Sequence, residues 1–385
     1  MSPSGLRVLL LGAYPNDLLQ IVGGVEAVNY ALVPALAAHP AVAHVTVGVL
    51  RRRGQLRRRQ ISATLDRIDI PVPFLSGDVL VHSAQCVQAV RRLLPSLRPD
   101  LVHGTGIDRV GDVATQLGLP AVVTIHGLVH IEARQSARGL SGMIKTLLFE
   151  MMVRRVLRRA QVAISISRYD ASLLAPMIGG RQVRIANPIG PEFFAAAPAP
   201  PLCPQVLFAG VIRPRKNVLG IVNAFARVRQ AIPTARLVLA GPELEPDYAQ
   251  AVRQRASQLG ISDAVVWAGH LAPAGVLAAL HQSHVLTLFS DQETLPTIIA
   301  QALAVGRPVV SSRVGGTAEM VVDGETGYLV APGDEESLAD RLIAVLQDQS
   351  SAQAMGVRAA AVARQSYDPA SVADQTVGAY RLAMG

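Results

Sequence analysis

The stretch SDQETLPTIIAQALAVGRPVVSSRVGGTAEMVVDGETGYLV, residues 290–330, holds the densest alternation of strand and helix signals in the chain. It follows the apolar run VLTLF, which reads as a strand, and it opens with an acidic loop. Thr294, Pro296 and Thr297 suit a loop turning into a helix, and TIIAQALAVG supplies the helical pattern. A Gly-Arg-Pro turn then leads into a second strand, PVVSS, and Gly315-Gly316-Thr317-Ala318-Glu319 opens another helix. The segment from Asp323 to Gly327 is a turn into the strand YLV. Short strands separated by helices specify a parallel sheet with crossover helices, and in such sheets the ligand sits at the C-terminal strand ends.

Four groups in this stretch and around it carry chemistry. Glu293 stands at a strand end, where a carboxylate either accepts a hydrogen bond from a sugar hydroxyl or caps the following helix. Gln301, eight residues on, both donates and accepts, so it can bind hydroxyls where a carboxylate would otherwise stand. Gly315, Gly316 and Thr317 form a backbone anion nest at a helix start. Upstream, Arg213-Pro-Arg-Lys216 follows the strand VLFAG; Arg213 and Lys216 either clamp a diphosphate or belong to a solvated charge run.

The alternation extends to both ends of the chain. In the second half, strands are expected at Gln205–Ala209, Ala235–Ala240, Val265–Ala268, Val285–Leu288, Pro308–Ser311 and Gly327–Val330. In the first half they are expected at Leu6–Leu11, Val45–Leu50, Leu101–His103, Ala121–Ile125 and Gln161–Ser165. The opening MSPSGLRVLLLGAY reads as a leading strand rather than a signal peptide. Gly23 and Gly24 precede a helical stretch and either approach an anionic ligand or form a plain turn. His126-Gly127 follows the strand AVVTI, so His126 either reaches a ligand or bonds to backbone.

Between the halves, NPIGPEFFAAAPAPPLCPQ is rich in Pro and Ala and reads as a connection. The expected organisation is therefore a first domain over 1–186, a linker over 187–204 and a second domain over 205–366. Pro369 restarts a helix within a final segment, 367–385. A chain of 385 residues with 50% hydrophobic and 17% charged residues supports two cores and excludes a disordered chain. Cys86 and Cys203 make no disulfide framework and fit a reducing cytoplasm. The motifs HExxH and DxD are absent and no His/Cys cluster occurs, so neither metal nor cofactor is expected.

Residues 1–190 carry 22 Lys and Arg against 11 Asp and Glu, an imbalance that points to an anionic partner. Nucleic acid lacks any supporting motif. The segment MIKTLLFEMMVRRVLRRA, residues 143–160, places Ile144, Leu147, Leu148, Met151 and Met152 on one helical face before four arginines. That face either packs into the core or meets an anionic membrane surface, with the Arg51–Arg59 run as a second anion contact.

Taken together, these motifs resemble the retaining glycosyltransferase family 4, over nearly the whole chain and most specifically over residues 290–330. The resemblance implies a GT-B-like α/β fold, two Rossmann-like domains with parallel sheets facing an interdomain cleft. It implies that the final helix returns to the first domain. It implies metal-independent transfer, with retention, from a nucleotide-sugar donor, UDP-sugar before GDP- or ADP-sugar, to a glycan, glycolipid or small-molecule hydroxyl acceptor. By the same resemblance His126 stands near the donor sugar, Arg213 and Lys216 at the diphosphate, and Glu293 at the transferred sugar. Gly315, Gly316 and Thr317 match the phosphate-side loop. Two positions depart from the family pattern: Val211 stands where an arginine is common, and Gln301 replaces the second acid of an E-x7-E motif. A sugar-nucleotide epimerase and a catalytically inactive sugar-nucleotide-binding protein are the alternatives.

Overall fold

The computed structural model describes residues 5–16, 21, 23–52, 54–72, 83–128, 131, 139–195 and 203–385. These divide into two compact units: residues 1–14, 28–188 and 369–385, and residues 15–27 and 189–368. Parts of the Gly12–Val22 loop and of the 187–204 connection lie outside the described residues.

The first unit is built on eight strands: β1 (Leu6–Leu11), β2 (Val42–Arg51), β3 (Arg57–Ser62), β4 (Leu65–Pro71), β5 (Leu101–Gly104), β6 (Ala121–Ile125), β7 (Val162–Ser165) and β8 (Arg181–Arg184). Their order is β3-β4-β2-β1-β5-β6-β7-β8, and every pairing is parallel except β3 with β4. The central strands are apolar runs with both faces covered, as a parallel sheet requires. On one face, Leu10, Val45, Val47 and Leu101 pack with Val377 and Tyr380 of the terminal helix Pro369–Met384. Pro369 begins that helix directly after Gln349–Tyr367 ends.

Sequence periodicity misses three strands here. In β3, RRRQIS is exposed at every position and carries no apolar alternation. In β4, LDRIDIP buries Asp66 and Arg67 beside its apolar residues, so its polarity hides its burial. The third, β8, is a short polar edge strand.

The second unit has six strands: β9 (Gln205–Ala209), β10 (Arg236–Ala240), β11 (Val265–Gly269), β12 (Val285–Leu288), β13 (Val309–Ser312) and β14 (Gly327–Val330). They run β11-β10-β9-β12-β13-β14, all parallel. This is the doubly wound Rossmann order, in which the chain leaves β9 to one side and returns beside it as β12. Before β9, the Pro-rich connection contains a helical turn, Glu192–Ala195, that buries Phe193; the Pro and Ala content conceals it. Among the described residues, no helix is long and apolar enough to cross a membrane.

Candidate active site

In the second unit the topological switch point lies between β9 and β12, and two expected site residues meet there. After β9 the chain makes a single 3-10 turn, Pro214–Lys216. Asn217, in the left-handed region at φ 46°, then caps the helix Val218–Ala231 by accepting from the Gly220 amide. This tight reversal turns Lys216 toward the loop after β12. Its Nζ lies 2.5 Å from Glu293 Oε1, and Ser290 Oγ donates to the same oxygen at 2.6 Å. The side chains of Lys216 and Glu293 are only 14% and 7% exposed, so the pair is held in a low-dielectric setting. Glu293 Oε2 makes no hydrogen bond among the described residues. Lys216 keeps two further N–H donors, so the cluster can offer both an acceptor and a cation to a ligand.

Arg213 does not join this cluster. Its Nε is 3.6 Å from Glu245 Oε1, and both side chains are half-exposed, a geometry of small energetic weight. The expected Arg213–Lys216 clamp is thus not assembled in this structure.

Beside the cluster is a cavity of about 150 Å³ lined in part by Gly23, Gly24, Gly210, His270, Thr297 and Gln301. A Cβ at Gly210 would lie 3.9 Å from Lys216 Cε, which ties the cavity to the charged pair. A Cβ at Gly23 would meet no atom within 4 Å, so a side chain there would project into open space. The helix Thr297–Ala304 buries Ile299, Ala302 and Leu303 and leaves Gln301 partly exposed at the cavity wall. Val211 adds an apolar surface.

The Gly315–Thr317 loop differs from the expected nest. Gly315 takes φ 50°, and the Gly316 amide points to the Glu293 carbonyl at 3.4 Å. Thr317 is fully buried, and its hydroxyl is engaged with the Ser312 and Val314 carbonyls, each at 2.7 Å. Its own amide is bonded to Val314 O. The helix it opens, Thr317–Met320, is one turn long and has little dipole to offer. Thr317 shapes the loop; it has no free donor for a ligand.

In the first unit the sheet order places the switch point between β1 and β5. Gly12 follows β1, and a Cβ there would fall 1.9 Å from Thr105 Oγ1, so only glycine fits. Asn29 Nδ2 bridges the Ala13 carbonyl at 2.7 Å and Thr105 Oγ1 at 2.9 Å. One strand further along, β6 delivers His126. Both its ring nitrogens are buried, and neither finds a partner of good hydrogen-bond geometry among the described residues. Burial lowers its pKa to about 4, which the neighbouring Asn187 side chain offsets only in part. Its neighbour His103 is the contrasting case. That ring is wholly buried between Tyr380 Oη and Thr124 Oγ1, each at 2.8 Å, and its pKa falls to about 3, by burial and then by His126. His103 is satisfied internally, whereas His126 has Asn187 as its polar neighbour and no hydrogen bond of good geometry among the described residues.

Sequence reading did not single out Ser290, Asn187 or His270. Ser290 stands three residues before Glu293 and His270 follows the β11 strand end; either position is a usable signal. Asn187 becomes a neighbour of His126 only through the tertiary fold. Among the described residues, no group of three His, Cys, Asp or Glu is placed to hold a metal ion.

Comparison with known proteins agrees with this architecture. The model for Glycosyltransferase Family 4 matches residues 22–193, and that for Glycosyl transferases group 1 matches residues 192–362. The glycogen synthase of Mycobacterium tuberculosis is 32% identical over 183 residues, 46% of this chain and 42% of that protein. The match thus spans less than half of that relative's length. Sucrose-phosphate synthase from Thermosynechococcus elongatus superposes with a TM-score of 0.79 at 21% identity, covering 97% of this chain and 98% of its own. Anabaena HepE in complex with UDP-glucose gives a TM-score of 0.73 at 18% identity, over 98% and 99% of the two chains. Both superpositions show a shared fold. With one family model on each half and the same fold along its length, the chain belongs to the GT-B-fold glycosyltransferases of the family 4 and group 1 type.

Proposed function

We propose that this protein transfers a sugar from a nucleoside-diphosphate sugar to a hydroxyl acceptor, with retention at the anomeric carbon and without a metal ion. The observation that carries the reading is the Lys216–Glu293–Ser290 cluster at the β9/β12 switch point, next to the cavity that Gly23, Gly24 and Gln301 line. Lys216 would stabilise charge growing on the leaving phosphate, and Glu293 would orient the transferred sugar through its unused oxygen. Gln301 would hold the ribose, while the glycine amides approach the diphosphate. His126 would accept or donate one bond to the sugar or acceptor, as a neutral imidazole. Among donors, UDP-sugar stands before GDP- or ADP-sugar, and the cavity of about 150 Å³ beside the charged pair would take part of it. The UDP-glucose complex of HepE, a protein of the same fold, points the same way. Arg213 serves the diphosphate only if it leaves Glu245. A glycan, glycolipid or small-molecule hydroxyl fits as acceptor. The free thiols Cys86 and Cys203 support a reducing, cytoplasmic setting.

Val211 and the diversion of Arg213 to Glu245 favour, as a second reading, a donor-binding protein without turnover. Calorimetry with UDP-, GDP- and ADP-sugars tests the donor assignment. UDP-sugar binds most tightly, and Gln301→Ala weakens it about five-fold, the worth of one net hydrogen bond, with an unchanged melting temperature. Gln301→Glu retains binding. Equal affinity of Gln301→Ala and wild type would remove the ribose role, and absence of binding by all three donors would remove the reading itself.

A further inference from the structure

We infer that the β3–β4 edge of the first sheet binds an acidic glycan, a sugar chain bearing carboxylate or phosphate groups, through Arg51, Arg57, Arg59 and Arg67. The observation that points there is Arg67. It lies in β4 only 2% exposed, and a guanidinium keeps its charge wherever it is buried. It donates to Tyr14 O at 2.6 Å and to Asp69 Oδ1 at 2.8 Å, while its Nε has no hydrogen-bond partner among the described residues. Asp69 is shared: the same oxygen accepts from Arg51 Nε at 3.1 Å. Burial acts to raise the Asp69 pKa, but the bonds from Arg67 and Arg51 hold it below the ordinary value. One ionised carboxylate thus serves two cations.

Strand register puts two more arginines on this face. Arg57 of β3 stands opposite Asp69 of β4, and Arg59 stands opposite Arg67; directly opposed residues share a face. Arg58, between them, turns to the other face and pairs with Asp66 at 2.5 Å. Arg57 and Arg59 are exposed and make no salt bridge among the described residues. Like charges directly opposite weaken a strand pair, so Arg59 against Arg67 is a cost. Exposed arginines on β3 are accounted for by blunting of a sheet edge, but a buried arginine that shares its carboxylate is not. An anionic ligand would offset both defects.

Charge complementarity and spacing decide the occupant. A second copy of the chain would set arginines against arginines. Single-stranded nucleic acid stacks on aromatic side chains, and residues 57–71 contain none. Guanidinium forks match carboxylate and phosphate oxygens alike. Arg57 and Arg59 are two residues apart on a strand, about 7 Å, so the fitting partner repeats its charges along a chain. In the sheet order β4 is four strand spacings from β6, about 19 Å across the sheet. The bound charges therefore belong to a part of the chain remote from His126. That this chain is the acceptor rests on the transferase reading.

Calorimetry of the full chain with hexagalacturonate, maltohexaose and hexaglutamate tests the inference without reference to activity. Wild type is expected to bind hexagalacturonate, to release it at high salt, and to leave neutral maltohexaose unbound. Arg57→Gln/Arg59→Gln weakens binding by about five-fold per arginine, with an unchanged melting temperature because both side chains are exposed. Arg158→Gln/Arg159→Gln, which removes two exposed arginines from the helix Gly139–Arg159, binds as wild type does. No binding of hexagalacturonate, equal binding of maltohexaose, or equal loss in the two double variants would overturn the inference. So would tighter binding of hexaglutamate, which would assign the surface to an acidic polypeptide. Donor binding by calorimetry is independent of all these outcomes, so a failure here leaves the reading of the donor site standing.

Discussion

Glu293 accepts from both Lys216 and Ser290 through one oxygen, so its neighbours fix its position while its second oxygen stays available. Truncating one partner of this buried pair should therefore harm both folding and function. Lys216→Met leaves a buried carboxylate without its cation, a defect of about 3 kcal/mol or more in stability. The double variant Lys216→Met/Glu293→Gln removes both charges and should recover much of that loss. Its turnover should stay about a hundred-fold or more below wild type, because the leaving phosphate has lost its cation. Denaturant melts and donor-consumption rates on the three proteins separate the two effects; recovered turnover in the double variant would deny Lys216 a catalytic role. His126 and His103 make a second residue-scale prediction. Their folded pKa values, about 4 and about 3, lie below the ordinary 6.5. Above pH 6.5 neither state binds the proton, and stability is pH-independent in these groups. As pH falls from 6.5 toward 4 the unfolded chain takes up protons that the folded chain refuses, so stability drops. Urea midpoints across that window should fall, with a shallower slope in His126→Gln. The sequence made Lys216, Glu293 and His126 visible because each follows a strand end. It could not show that Thr317 bonds inward or that Arg213 turns to Glu245, since both depend on which neighbours the fold supplies.

At the scale of elements, the apolar parallel strands were legible because burial on both faces leaves an unbroken run of branched residues; β1, β6, β9, β12 and β14 match their expected bounds. Strands β3, β4 and β8 were not: β3 and β8 are largely exposed polar edge strands, and β4 sets buried charged residues among its buried Leu65, Ile68 and Ile70. Arg67, for example, is almost fully buried in β4, donating to Tyr14 O at 2.6 Å and to Asp69 at 2.8 Å. The terminal helix Pro369–Met384 is joined to the first sheet by the Tyr380–His103–Thr124 chain of hydrogen bonds as well as by Val372 and Val377. Tyr380→Phe keeps the packing but strands a buried ring nitrogen. It should cost about 1–3 kcal/mol in denaturant unfolding. A variant as stable as wild type would mean that the helix is held by apolar contact alone.

Across the whole molecule, one family model on each half and two Rossmann-like sheets mark a GT-B-fold glycosyltransferase. The central claim is retaining, metal-independent transfer. It is tested most directly by following UDP-glucose and a panel of hydroxyl acceptors by proton NMR, in the presence of excess EDTA. The account predicts acceptor-dependent release of UDP and a first-formed product with the donor's α configuration, at a rate that EDTA leaves unchanged. A β-configured first product, a sugar converted without acceptor, or activity that vanishes on chelation and returns with a divalent cation would contradict it.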